Sequence, residues 1–113
     1  MAGTMKRLAG PAFLAAAAAN IYNPAATVVT KVRQIHIANV TAGAITATLY
    51  IGATGGSAAG TEIIKGHSIP ANDERDFYWP AGLPLKTADF LTGLASGASS
   101  LVVTVTGDEE QIP

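Results

Sequence analysis

The chain has 113 residues, room for one domain, with 7 basic and 8 acidic side chains and a formal net charge of −1. Charged residues make up 13% and hydrophobic ones 49%, which excludes intrinsic disorder and a chain-wide electrostatic footprint for nucleic acid. Cysteine is absent, so disulfides, thiol catalysis and Cys-ligated metal sites are excluded together.

At the N-terminus, Lys6-Arg7 precedes Leu8-Ala9-Gly10-Pro11-Ala12-Phe13-Leu14 and the run Ala15 to Ala19. The order mimics a secretory signal peptide, but Gly10-Pro11 interrupts it and only Leu8, Phe13 and Leu14 are strong hydrophobes. A membrane-spanning helix needs about 20 apolar residues and is excluded here. Residues 1–20 therefore read as an arm, extended or short-helical, because a run of alanines this short needs tertiary or intersubunit contacts to hold a helix.

From residue 21 onward the chain reads as strands. Thr27 to Val40 is rich in β-branched residues. Val28, Thr30 and Val32 share one parity while Ile35 and Ile37 hold the other, so the period of two slips once and predicts a bulge near Arg33-Gln34. Ile45, Ala47, Leu49 and Ile51 alternate with Thr46, Thr48 and Tyr50 in a second strand, expected to form a hairpin with the first. Gly52 to Gly60 is a flexible loop by composition. Glu62–Lys65 and His67–Ile69 read as a broken strand, and Pro70–Glu74 as a turn. A strand ending in Phe77-Tyr78-Trp79 follows, then a crossing loop punctuated by Pro80, Gly82 and Pro84. Asp89-Phe90-Leu91 opens another short strand. Leu101, Val103 and Val105 alternate with Val102, Thr104 and Thr106 in the last one. Seven or so short strands without a long helix predict an all-β chain: a single antiparallel β-sandwich, jelly-roll-like, over residues 21–113 behind the arm.

No motif for chemistry stands out. The glycine-rich loop lacks the Gly-Lys-Ser/Thr ending of a phosphate loop. Two histidines, His36 and His67, fall short of the three or four converging ligands of a metal site, and no cofactor is expected. Asp73, Glu74 and Asp76 read as solvated turn residues, and no Gly-x-Ser-x-Gly elbow occurs. Asn39-Val40-Thr41 matches a glycosylation sequon, meaningful only in a eukaryotic secretory setting. Asp108-Glu109-Glu110 reads as a solvated end able to pair with Lys6 or Arg7 of a neighbouring copy. Two features suit binding. Tyr78-Trp79 could offer an aromatic platform for a sugar or a protein, unless Phe77 and Trp79 share the core parity and leave Tyr78 alone outside. The composition, with 22 alanines and 12 glycines, makes thin layers and a surplus of exposed apolar surface, which marks a partner rather than a solitary catalyst.

Several segments in order resemble a group of small virion proteins of tailed bacteriophages. They are Lys6–Leu14, Ile21-Tyr22-Asn23-Pro24-Ala25, Val32–Asn39, Leu49–Ala53, Ala88–Ala95 and Val103–Glu109. The resemblance spans roughly residues 6–110 and rests on packing and turn motifs. It implies a non-enzymatic structural protein of the virion, made in the host cytoplasm, present in many copies and associating with itself and with the major capsid protein or tail proteins. The expected role is capsid decoration, with a minor tail protein and a carbohydrate-binding host-attachment module as alternatives. Neither nucleic acid nor membrane is an expected partner. Lys6, Arg7, Leu8, Phe13, Leu14, Tyr22, Tyr78 and Trp79 are the residues expected to carry assembly or interaction.

Overall fold

The computed structural model describes residues 4–111. Within them the chain forms eight strands: β1 (Thr4–Phe13), β2 (Ala19–Tyr22), β3 (Val28–Asn39), β4 (Ile45–Gly52), β5 (Glu62–Ile69), β6 (Glu74–Leu85), β7 (Phe90–Ala95) and β8 (Leu101–Gln111). They make two antiparallel four-stranded sheets with spatial orders β1-β8-β3-β6 and β2-β7-β4-β5. The core between the sheets is aliphatic. Val32, Ile35 and Ile37 of β3 and Leu101, Val103 and Val105 of β8 face Leu49 of β4, Ile64 and Ile69 of β5 and Leu91 of β7, all buried. Only β4 and β5 join within one sheet, through the glycine-rich loop; every other connection carries the chain across to the opposite sheet.

The parity slip in β3 is a real bulge. Val32 and Ile35 both reach the core although three positions separate them, which a regular pleat forbids. The registers with both β8 and β6 shift between Val32 and Gln34, leaving Arg33 without a Cα partner on either side. Across from it, β6 carries four residues, 79–82, opposite this one position, since Val32 pairs with Leu83 and Gln34 with Tyr78. The Arg33 guanidinium fastens the irregularity: Nε and Nη2 contact Asp108 Oδ2 at 2.8 and 2.7 Å, and Nη1 donates to the Pro80 carbonyl. Backbones also close up here. A Cβ on Gly107 would lie 2.2 Å from the Lys31 carbonyl oxygen, so only glycine fits.

Several expectations need correction. The segment assigned to an arm is built into the sandwich: β1 pairs with β8 along its length and β2 pairs with β7. No helix occurs in its described part, and a boundary at residue 20 cuts through β2. Gly10 marks the reason that β1 bends where the sequence breaks, with φ of 80° and no room for a Cβ against the Val103 carbonyl. Next, β3 and β4 do not form a hairpin; they lie in opposite sheets, β3 between β8 and β6 and β4 between β7 and β5. Finally, Pro80, Gly82 and Pro84 sit within β6 rather than in a loop. The strand tolerates them because it is an edge, where a missing N–H costs no ladder bond.

The corner after β3 is held by one side chain. Asn39, 3% exposed, donates from Nδ2 to the carbonyls of Gly43, Ile69 and Pro70 at 2.9, 2.9 and 3.2 Å. Its Oδ1 accepts from the Thr41 N–H and Oγ1 at 2.9 and 2.7 Å. The sequon asparagine is thus a buried hub with its amide fully engaged.

A candidate interaction face

The two outer faces of the sandwich differ. On the β2-β7-β4-β5 sheet the long β4–β5 loop folds back over the strands. Thr92 points away from the core yet is fully buried, because its Oγ1 donates to the Gly56 carbonyl at 2.5 Å. Asn20 Oδ1 accepts from the Gly55 N–H at 2.7 Å, and Tyr50, opposite Thr92, is buried alongside. This face has a lid supplied by its own chain.

The other sheet has none. Cross-strand register puts its outward side chains in rows: Met5, Asp108, Lys31 and Pro84 in one, and Arg7, Thr106, Gln34 and Tyr78 in the next. Thr104, His36 and Asp76 form a third row, and Phe13, Val102, Ala38 and Glu74 a fourth. Among the described residues, three of the four large hydrophobic ones that are more than half exposed, Met5, Phe13 and Tyr78, stand on this face, and Val40 follows directly at the end of β3. Its two middle strands present Thr104, Thr106, Val102 and Ala38 together with Lys31, Gln34, His36 and Asp108, while the exposed apolar Met5, Phe13 and Tyr78 stand on the outer strands, and exposed apolar groups gathered on one face mark a surface that meets another.

Polar side chains on the β6 side are organised. His36 Nδ1 lies 2.6 Å from Asp76 Oδ1, Gln34 Nε2 donates to the same oxygen at 2.9 Å, and Glu74 Oε2 is 3.7 Å from His36 Nε2. The hydrogen bond from His36, joined by that from Gln34, holds the Asp76 carboxyl below its ordinary range. This flank is acidic and aromatic, with Glu74, Asp76 and Tyr78. The β1 flank is basic and apolar, with Met5, Arg7 and Phe13.

A second polar cluster lies between the sheets at one end. Tyr22 of β2 reaches across so that its hydroxyl donates to Glu109 Oε2 at 2.5 Å and meets Thr30 Oγ1 at 2.8 Å. Lys6 Nζ contacts the other Glu109 oxygen at 3.0 Å. Burial, with the carboxylate beside it, pushes the Tyr22 hydroxyl up to about 12, while the hydrogen bonds from Tyr22 and Lys6 draw Glu109 below the usual carboxylate range. This is a clasp joining the two sheets.

The eight residues singled out from sequence therefore separate. Arg7, Phe13 and Tyr78 stand on the open face. Lys6 and Tyr22 belong to the internal clasp, so the acidic C-terminal run pairs within its own chain. Leu14 is in the core, with Leu8 and Trp79 packed against it. As the alternation at 77–79 implied, Phe77 and Trp79 point inward and Tyr78 is 64% exposed. A two-ring platform does not form. Met5 and the Gln34–His36–Asp76 group were missed, because only the pairing of distant strands reveals which residues share a row. An apolar groove of about 130 Å³ between β1 and β2, lined by Phe13, Ala19 and Ile21 among others, is smaller than the roughly 300 Å³ at which small-molecule pockets begin. No protein-family model, curated protein or solved structure matches the chain.

Proposed function

We propose that this chain is a non-enzymatic structural protein of a tailed-bacteriophage particle, a capsid decoration protein that associates with itself and docks on the shell. The observation that carries the reading is the strand pairing: first with eighth, second with seventh, third with sixth, fourth with fifth. We read one long hairpin wound into two sheets in this way as jelly-roll-like, an architecture recurrent in viral capsid and lectin domains. The open face with its exposed apolar groups supports a docking role, and so does the resemblance of Lys6–Leu14, Val32–Asn39 and Val103–Glu109 to small virion proteins. A minor tail protein is the neighbouring reading, separated by location alone. The carbohydrate-binding alternative loses its platform with the inward turn of Trp79. The test is mass spectrometry of gradient-purified particles from a host infected with a phage encoding the chain. Many copies per particle are expected. Absence from particles, with the protein left in the soluble host fraction, would overturn the proposal.

A further inference from the structure

We infer that the open face of the β1-β8-β3-β6 sheet is a self-association surface, and that two copies pack through it about a two-fold axis running along the strands. This deepens the self-association half of the proposed function and names its surface. Four observations carry it. The opposite sheet is partly covered by its own loop, over Asn20, Tyr50 and Thr92. The sheet edges are blunted against strand-to-strand addition: β1 contains Pro11 and irregular register, β6 contains Pro80 and Pro84, β2 has four residues, and β5 carries Lys65 with Gly66 at φ of 54°. The open face bears the large exposed hydrophobics. Its two flanks are opposite in charge.

That last point selects the symmetry. A two-fold axis across the strands would set β1 on β1, bringing Arg7 towards Arg7 and acid towards acid. An axis along the strands, between β8 and β3, lays each β1 over the other copy's β6 and keeps every row aligned with itself. Arg7 then covers Tyr78 of the other copy with Asp76 beside it, a cation–π contact backed by charge. Asp108 covers Lys31, and Met5 covers Pro84. At the centre the axis sets Thr106 over Gln34 and Thr104 over His36 of the other copy, small against long in each row, so that the sheets can approach to about 10 Å. Within one copy, Arg7 and Tyr78 stand three strand spacings apart, roughly 14 Å, and do not meet. Arg7 has no ion-pair partner among the described residues.

Sedimentation equilibrium of the full chain should show a monomer–dimer equilibrium. Arg7→Glu should weaken it about tenfold or more, through lost attraction and new repulsion at both symmetric contacts. At concentrations low enough for both proteins to be monomeric, its unfolding midpoint should stay that of the wild type, since the side chain is exposed. The cysteine-free background allows a second readout. With a short bis-maleimide, Arg7→Cys alone and Tyr78→Cys alone should give no covalent dimer, because like positions lie on opposite flanks of the pair, whereas a mixture of the two should give one. A chain that stays monomeric at millimolar concentration, or a dimer indifferent to Arg7→Glu whose cross-links do not require the mixture, would overturn the inference. A monomer still found on particles would remove this interface and leave the virion reading standing; a dimer that never enters particles would do the reverse.

Discussion

Replacing Tyr22 with phenylalanine removes a single oxygen from the place where the two sheets are tied. The hydroxyl donates to Glu109 and meets fully buried Thr30. A hydrogen bond to a charged group contributes about 1.5–3 kcal/mol. Partial exposure of the ring and of Glu109 screens this, so a loss of about 1–2 kcal/mol is expected at neutral pH. The pH dependence distinguishes the clasp from mere packing. Because the tyrosine is raised, its contribution is fully present below the unfolded value near 10 and fades as pH rises through about 12. Glu109 is lowered, so its contribution is present above the unfolded carboxylate value and fades as pH falls through its folded one. The difference between wild type and Tyr22→Phe should therefore be flat around neutrality and shrink at both extremes. Urea unfolding followed by fluorescence of the single tryptophan, Trp79, measures it. A loss under about 0.5 kcal/mol, or one that does not vary with pH, would refute the assignment of a working clasp.

Other substitutions probe the same framework. Asn39→Ala should cost about 2–4 kcal/mol by orphaning buried carbonyls at the corner, read as a lowered urea midpoint; a near-neutral variant would mean that water replaces the amide. Gly107→Ala should destabilise by about 1–3 kcal/mol, since its methyl meets the Lys31 carbonyl, and a wild-type midpoint would contradict the close approach at the bulge. Arg33→Gln should lower stability by about 1 kcal/mol and loosen residues 79–82, seen as faster hydrogen exchange there than in β7. Asp76 and Glu109 are both lowered, so the chain should lose stability as pH falls below the ordinary carboxylate range; an acid midpoint unchanged in Glu109→Gln would count against that cause.

The sequence made much of the sandwich legible because a half-buried strand writes its two faces into alternate residues. The slip at Arg33-Gln34 and the inward Phe77 and Trp79 could be read that way, and the glycine-rich loop from its composition. Pairing could not. The five residues from Val40 to Ala44 look like a hairpin turn, yet here they cross between sheets, with Asn39 securing the corner. Prolines in β6 resembled loop punctuation because nothing local says that a strand is an edge. β1 was hidden by its few bulky residues and by Gly10-Pro11, and its order comes from β8, nearly the whole chain away. The candidate face was only partly visible for the same reason: Arg7 and Tyr78 share a row through Thr106 and Gln34, a relation that exists in the folded sheet alone.

The most direct test of the account is cryo-electron microscopy of the intact particle. It predicts density for two packed four-stranded sheets at symmetry-related positions on the shell, with β1 of one copy lying over β6 of another. Shell density with no site for this chain, and none on the tail, would contradict it.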